Sequence, residues 1–247
     1  MSLSPSHTPK GEWRSVSLPS LAEDGLHEFF AAQETDGAVL GPLALMLAQQ
    51  AKTSARLWVR HEAQTREVGM PFPIGLAELG LDPAQMLFFR APDVTSALQA
   101  GLEGARCSGL GAVIIELRGE AKAYDLVASR RLALAARESG VSVMMARTGA
   151  APTPSAAQTR WQVRALPSRA LAAKAPGPPA FEMTLLRARN GQEGLRYCVE
   201  WDRDARQFIP RFVASGDSIV QSAPLSGAVV PVSCDRPRAP DVWRHAG

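Results

Sequence analysis

Apolar positions along this chain fall into short blocks whose spacing alternates between two periods. Leu26, Phe29 and Phe30 form a short apolar strand, and a polar glycine-containing stretch ends it. Pro42 then opens the apolar run PLALMLAQQA, which suits a buried helix because proline is favoured at a first helical position, where its missing N–H would be unpaired anyway. RLWVR, from Arg56 to Arg60, reads as a second strand. A loop rich in Pro and Gly follows, from Met70 to Gly75, with a small helix near Ile74 to Leu79. MLFFR (Met86 to Arg90) is a third strand and Val94 to Ala105 a helix. GAVIIELRG is a strand apolar on both faces that ends at Glu116, the pattern of the middle of a parallel sheet. Asp125 to Ser139 is strongly helical and closed by Gly140, and Val141 to Ala146 is a fifth strand.

Strands alternating with helices predict βαβ units and a doubly wound α/β fold with a mainly parallel sheet. After Thr148 the helical signals stop. Gln158 to Leu166, Phe181 to Arg187 and Arg196 to Trp201 read as strands, the last two joined by the polar turn RNGQEG, and together they predict an antiparallel C-terminal edge to the same sheet. Residues 171–180, LAAKAPGPPA, read as a flexible link within this part. The boundaries expected are a flexible lead-in over 1–22, one domain over 23–209 and a poorly ordered tail over 210–247, where Ser, Pro and Gly scatter without period.

Composition narrows the function classes. Hydrophobic residues make up 46% and charged residues 21% of the 247, which fits a globular chain. No apolar run approaches the roughly 20 residues of a membrane span, and the polar start lacks the apolar core of a secretory signal, so the expectation is a cytoplasmic protein away from membranes. Cys107, Cys198 and Cys234 are far apart, and the four histidines show no paired spacing, so neither a disulfide framework nor a metal site is expected. Net charge is only +3, and the basic residues are almost all arginine: the lysines are Lys10, Lys52, Lys122 and Lys174.

In order and in residues these elements resemble the RecA-like superfamily over roughly 180 residues, from LHEFF at the first core strand to the last hairpin. Within it the segments LHEFF, DGAVLGPLALMLA, LWVRHE, GLAELGLDPAQMLFFRAPD, DLVASRRLALAARESG, PSAAQTRWQV and LLRARNG, taken together, resemble the ImuA family. That resemblance implies a damage-induced accessory protein of translesion DNA synthesis and induced mutagenesis. It would work with an ImuB-like Y-family polymerase homologue, with RecA, and indirectly with an error-prone replicative-type polymerase.

The resemblance also places a phosphate loop at ETDGAVLGPLAL, and the chemistry of that loop is missing. Such a loop needs backbone N–H groups around the phosphates, a lysine at the β/γ-phosphates and a Ser/Thr hydroxyl on magnesium. Leu40 and Gly41 stand at the last two positions, and Pro42 removes one more N–H. Lys52, the nearest lysine, lies about three helical turns further on at a rise of 1.5 Å per residue. Gly37, Leu40, Gly41 and Pro42 therefore mark a degenerate nucleotide loop, with no cofactor expected and no enzymatic turnover. Glu62 and Glu116 match the water-activating and magnesium-associated carboxylates, and read here as solvated, idle relics. Arg187 and Arg189 match two basic residues that reach across the filament interface in the recombinases, which makes them candidate partner contacts. Arg130 and Arg131 read as the solvent face of their helix.

The alternatives are a nucleotide-binding ATPase, a DNA-binding repair protein using Arg160 and Trp161 as basic and stacking groups, and a division inhibitor of the SulA type on the same degenerate fold.

Overall fold

The computed structural model describes residues 18, 21, 24–50 and 55–211. Nine strands form one sheet: β1 (Leu26–Ala31), β2 (Arg56–His61), β3 (Met86–Ala91), β4 (Ala112–Arg118), β5 (Ser142–Thr148), β6 (Thr159–Leu166), β7 (Ala180–Ala188), β8 (Arg196–Asp202) and β9 (Gln207–Pro210). Their order across the sheet is β3-β2-β4-β5-β1-β6-β7-β8-β9. The parallel part runs from β3 to β6, because β6 pairs parallel with β1. Antiparallel pairing starts only between β6 and β7 and continues through β8 and β9. The expected doubly wound sheet with an antiparallel C-terminal edge is present, with β6 in the parallel part.

Five helices lie among the described residues: α1 (Gly37–Leu47), α2 (Glu62–Val68), α3 (Pro73–Glu78), α4 (Val94–Arg106) and α5 (Leu126–Ser139). The α1 side of the sheet is a core that includes Phe29, Leu43, Leu45, Ile114, Met144 and the three buried tryptophans Trp58, Trp161 and Trp201. The other side, under α4 and α5, buries Leu26, Val113, Ile115, Leu117, Val143 and Met145. β4 and β5 thus give alternate residues to two apolar layers, which is why both read as continuous apolar runs. Leu18 and Leu21 of the expected lead-in pack on the α1-side core. The rest of that lead-in, and the expected tail beyond Arg211, lie outside the described residues.

Local chemistry accounts for the element ends. The Asp93 carboxylate accepts from the Ser96 N–H at 2.7 Å and starts α4, and Asp125 accepts from the Ala128 N–H at 2.8 Å and starts α5. Gly140 closes α5 in the left-handed conformation, φ 77°. Three differences from the expected elements matter. α1 begins at Gly37, five residues before Pro42, which lies inside the helix. α2 occupies EAQTREV, for which no helix is expected from the sequence, and β9 adds a short strand at QFIP.

Candidate functional site

The candidate site is the region after β1, where a RecA-like protein would hold its nucleotide. Between β1 and α1 the chain makes a short 3-10 turn, Glu34–Asp36, and then goes directly into helix. Gly37, Leu40, Gly41 and Pro42 are therefore residues of α1 and not of an open loop. This corrects the reading of Pro42 as a first helical residue. Most residues of α1 are buried, and its packing on the sheet offsets the backbone hydrogen bond that an interior proline removes.

Both glycines are explained by how closely α1 approaches the sheet. A Cβ at Gly37 would lie 2.3 Å from Thr148 Cγ2, and one at Gly41 would lie 2.1 Å from Glu116 Oε1 and 2.4 Å from Trp58 Cζ2. Any side chain larger than hydrogen would force Thr148, Glu116 or Trp58 to shift or the helix to lift from the sheet. The carbonyl of Gly37 further accepts from Gln64 Nε2 at 3.4 Å. Glycines that a phosphate loop would use to admit a ligand here admit the protein's own sheet.

An acidic side chain stands at the start of the helix. Asp36 is 6% exposed, and its carboxylate accepts from the N–H groups of Gln33 and Ala165, both at 3.0 Å. It fixes the turn after β1 to the end of β6 and puts negative charge at the helix N-terminus, where the dipole favours it. Glu34 lies in the same turn, 3.5 Å from Arg118, which also approaches Glu67 at 3.7 Å. A phosphate at this position would meet two carboxylates and no lysine.

Glu116 is not the solvated carboxylate expected. It is 2% exposed beneath α1, and its Oε2 accepts from Arg60 Nε in a buried ion pair whose side chains are 4% and 2% exposed. The Arg60 guanidinium also donates from Nη1 to the Gly69 carbonyl at 2.8 Å, and lies 4.7 Å from the Trp58 ring centroid and 5.8 Å from that of Phe88. Burial pushes the Glu116 carboxyl above its ordinary range, and the Arg60 charge opposes that shift. Arg60 thus spans β2, β4 and the end of α2, a role for which its planar fork is suited and lysine is not. The sequence gives no sign of it, since the partner lies 56 residues away.

Glu62 opens α2 and pairs with Arg66 one turn on at 3.1 Å, with side-chain exposures of 33% and 77%. Arg130 and Arg131 are exposed on α5. Arg187 and Arg189 are exposed at and just beyond the end of β7, on either side of buried Ala188. Arg189 donates to the Ala156 carbonyl at 3.0 Å, whereas Arg187 makes no hydrogen bond or ion pair among the described residues. Trp161 is fully buried and Arg160 is tied to Glu28 at 2.7 Å, so neither is presented to a nucleic-acid strand. Cys107 is exposed, and Cys198 is buried with its thiol pushed up to about 11 by burial. Among the described residues no group of three or more His, Cys, Asp or Glu is arranged to hold a metal, and no helix is long and apolar enough to cross a membrane.

The chain was compared with known proteins. No family model matches it. It is 29% identical over 190 residues to Protein ImuA of Caulobacter vibrioides, in each of two strains, covering 69% of this chain and 72% of the relative. The crystal structure of the RadB recombinase superposes with a TM-score of 0.52 at 15% identity, covering 77% of this chain and 92% of RadB, a likeness of fold alone. In sequence, then, this chain is similar to Protein ImuA, and its α/β fold is similar to that of the RadB recombinase.

Proposed function

We propose that the protein is a non-catalytic accessory factor of damage-induced mutagenesis, which acts by binding other proteins. On this reading, an ImuB-like Y-family polymerase homologue and RecA are its direct partners, and an error-prone replicative-type polymerase is reached through them. What supports the non-catalytic part is that internal structure occupies the degenerate loop positions and their neighbours. α1 runs through Gly37, Leu40, Gly41 and Pro42, Gly37 and Gly41 are consumed in packing, the Asp36 carboxylate ties the turn before the helix to β6, and Glu116 is locked to Arg60. Phosphoryl transfer depends on positioning and on positive charge around the phosphates; no lysine stands at this position, and the one arginine beside it, Arg118, is already shared between Glu34 and Glu67.

Exposed apolar residues support a role in protein contact. Leu87 and Phe89, 59% and 42% exposed, lie on the edge strand β3, and Met70, Phe72 and Ile74 are 57–65% exposed in the segment between α2 and the start of α3. Apolar surface of this kind marks sites that a partner covers.

The test is thermal unfolding of the full chain with and without magnesium and ATP, beside an ATPase assay. A ligand present at 100 times its dissociation constant would stabilise the fold by about 2.7 kcal/mol. No shift and no turnover are expected. A reproducible upward shift would establish that a nucleotide still binds and would end the non-catalytic reading.

A further inference from the structure

On the α4–α5 side of the sheet a second buried charged cluster lies at the ends of β1, β5 and β6. Glu28 is 1% exposed, and its two carboxylate oxygens accept from the Tyr124 hydroxyl at 2.6 Å and from Arg160 Nε at 2.7 Å. Arg160 also donates to the Thr153 carbonyl and the Ser155 hydroxyl. The Arg147 guanidinium, 4% exposed, lies 5.4 Å from the Tyr124 ring centroid and donates from Nη2 to the Gly119 carbonyl at 3.3 Å. Its Nε is buried without a hydrogen-bond partner. Burial and the Glu28 charge hold the Tyr124 hydroxyl well above its ordinary range, so it stays neutral and adds no negative charge. Two guanidinium groups thus share one carboxylate. Arg160 takes it directly, and Arg147 feels the Glu28 charge only from beyond hydrogen-bond contact, with its buried Nε unpartnered, an arrangement that an approaching anion would relieve.

Arg147 forms part of the wall of a cavity of about 420 Å³. Its apolar lining includes Ala121, Leu126, Ala150, Ala151 and Pro154. Glu120, Lys122 and Asp125 also line it, with Asp125 already occupied in capping α5. We infer that this cavity binds a carboxylate carried on a short aliphatic group, with Arg147 receiving the carboxylate and the alanine, leucine and proline surface receiving the aliphatic part. A polyanionic strand fits worse, since Glu120 and Asp125 would repel it and no exposed aromatic ring is present for bases to stack on. The carboxylate has two possible sources, an acidic residue beside an aliphatic one in a partner protein or a free aliphatic acid. The site is separate from the filled nucleotide position and does not depend on the reading proposed above.

The test is a heteronuclear NMR titration of the isotope-labelled full chain. The probes are N-acetyl-Leu-Glu-amide, N-acetyl-Leu-Gln-amide, hexanoate and an oligothymidylate. Saturable shifts of the Ala121, Ala150 and Ala151 amides are expected with the Glu dipeptide, with affinity at least tenfold weaker for the Gln analogue. The same loss is expected in Arg147→Met and in Ala151→Phe, which fills the cavity without touching a charged group and decides the matter if Arg147→Met does not fold. Tighter binding of the dipeptide assigns the source to a protein segment, and tighter or equal binding of hexanoate assigns it to a free acid; either supports the site. The inference is overturned by absence of shifts with both acids, by equal binding of the Gln analogue, by unchanged affinity in a folded variant, or by tighter binding of oligothymidylate at the same residues.

Discussion

Arg60 and Glu116 show how two buried charges hold each other under a helix. Each would be an expensive burial alone, and together they hold because Arg60 also reaches the Gly69 carbonyl and stacks near Trp58 and Phe88. Removing one partner leaves an uncompensated charge under α1, so Glu116→Gln and Arg60→Met should each destabilise the protein by about 3–5 kcal/mol in denaturant unfolding. Replacing both by apolar residues of similar size, Arg60→Met with Glu116→Met, should cost far less than the sum of the two, since a buried ion pair and an apolar pair of equal volume are often close in stability. Additive losses in this double-mutant cycle would mean that the two residues act separately and that Glu116 is not held by Arg60. Glu62, partly solvated and paired only with Arg66 one turn away, should tolerate Gln within about 0.5 kcal/mol.

At the scale of elements, α1 is where the sequence and the structure part company. β4 is legible because it is apolar on both faces, and α5 because Asp125 and Gly140 bracket it with a cap and a left-handed stop. α1 is half legible: its apolar residues announce a buried helix, but Gly41 and Pro42 imitate a break, and the contacts that override them come from β4 and β5. Short and polar, EAQTREV has no apolar stripe to reveal α2, and QFIP is too short and ends in proline. The Glu116–Arg60 pair and the Arg147 cavity are products of strand order, which brings together residues far apart in sequence. Gly41→Ala tests the account of α1. A helical alanine is intrinsically favoured over glycine by about 1 kcal/mol, whereas a methyl group 2.1 Å from Glu116 Oε1 and 2.4 Å from Trp58 Cζ2 overpacks a core at about 1–3 kcal/mol. Net destabilisation with a lowered Tm is expected, and a stabilised variant would show that α1 does not press on β4 as described.

Across the whole molecule, the sheet presents two differently built ends. One ends in β3, with Leu87 and Phe89 exposed; towards the other, the β7–β8 hairpin presents Arg187 and Arg189. On the proposed reading the arginine pair is a contact for a partner protein. Arg187 has no partner within the described residues, and its guanidinium is a free fork for a carboxylate. Arg189 is anchored to the Ala156 carbonyl and holds the hairpin against the segment before β6. Charge reversal at an interface costs several kcal/mol, on the order of a hundredfold in affinity, while an exposed position should accept it with little loss of stability. Arg187→Glu is therefore expected to abolish co-purification with an ImuB-like protein or with RecA at an unchanged Tm. Arg189→Glu should do the same with a small loss of stability from the broken hydrogen bond. If both variants fold and keep each partner at wild-type affinity, the arginine pair is not the contact, and the search moves to the β3 edge, where Leu87→Asp and Phe89→Asp are the corresponding substitutions.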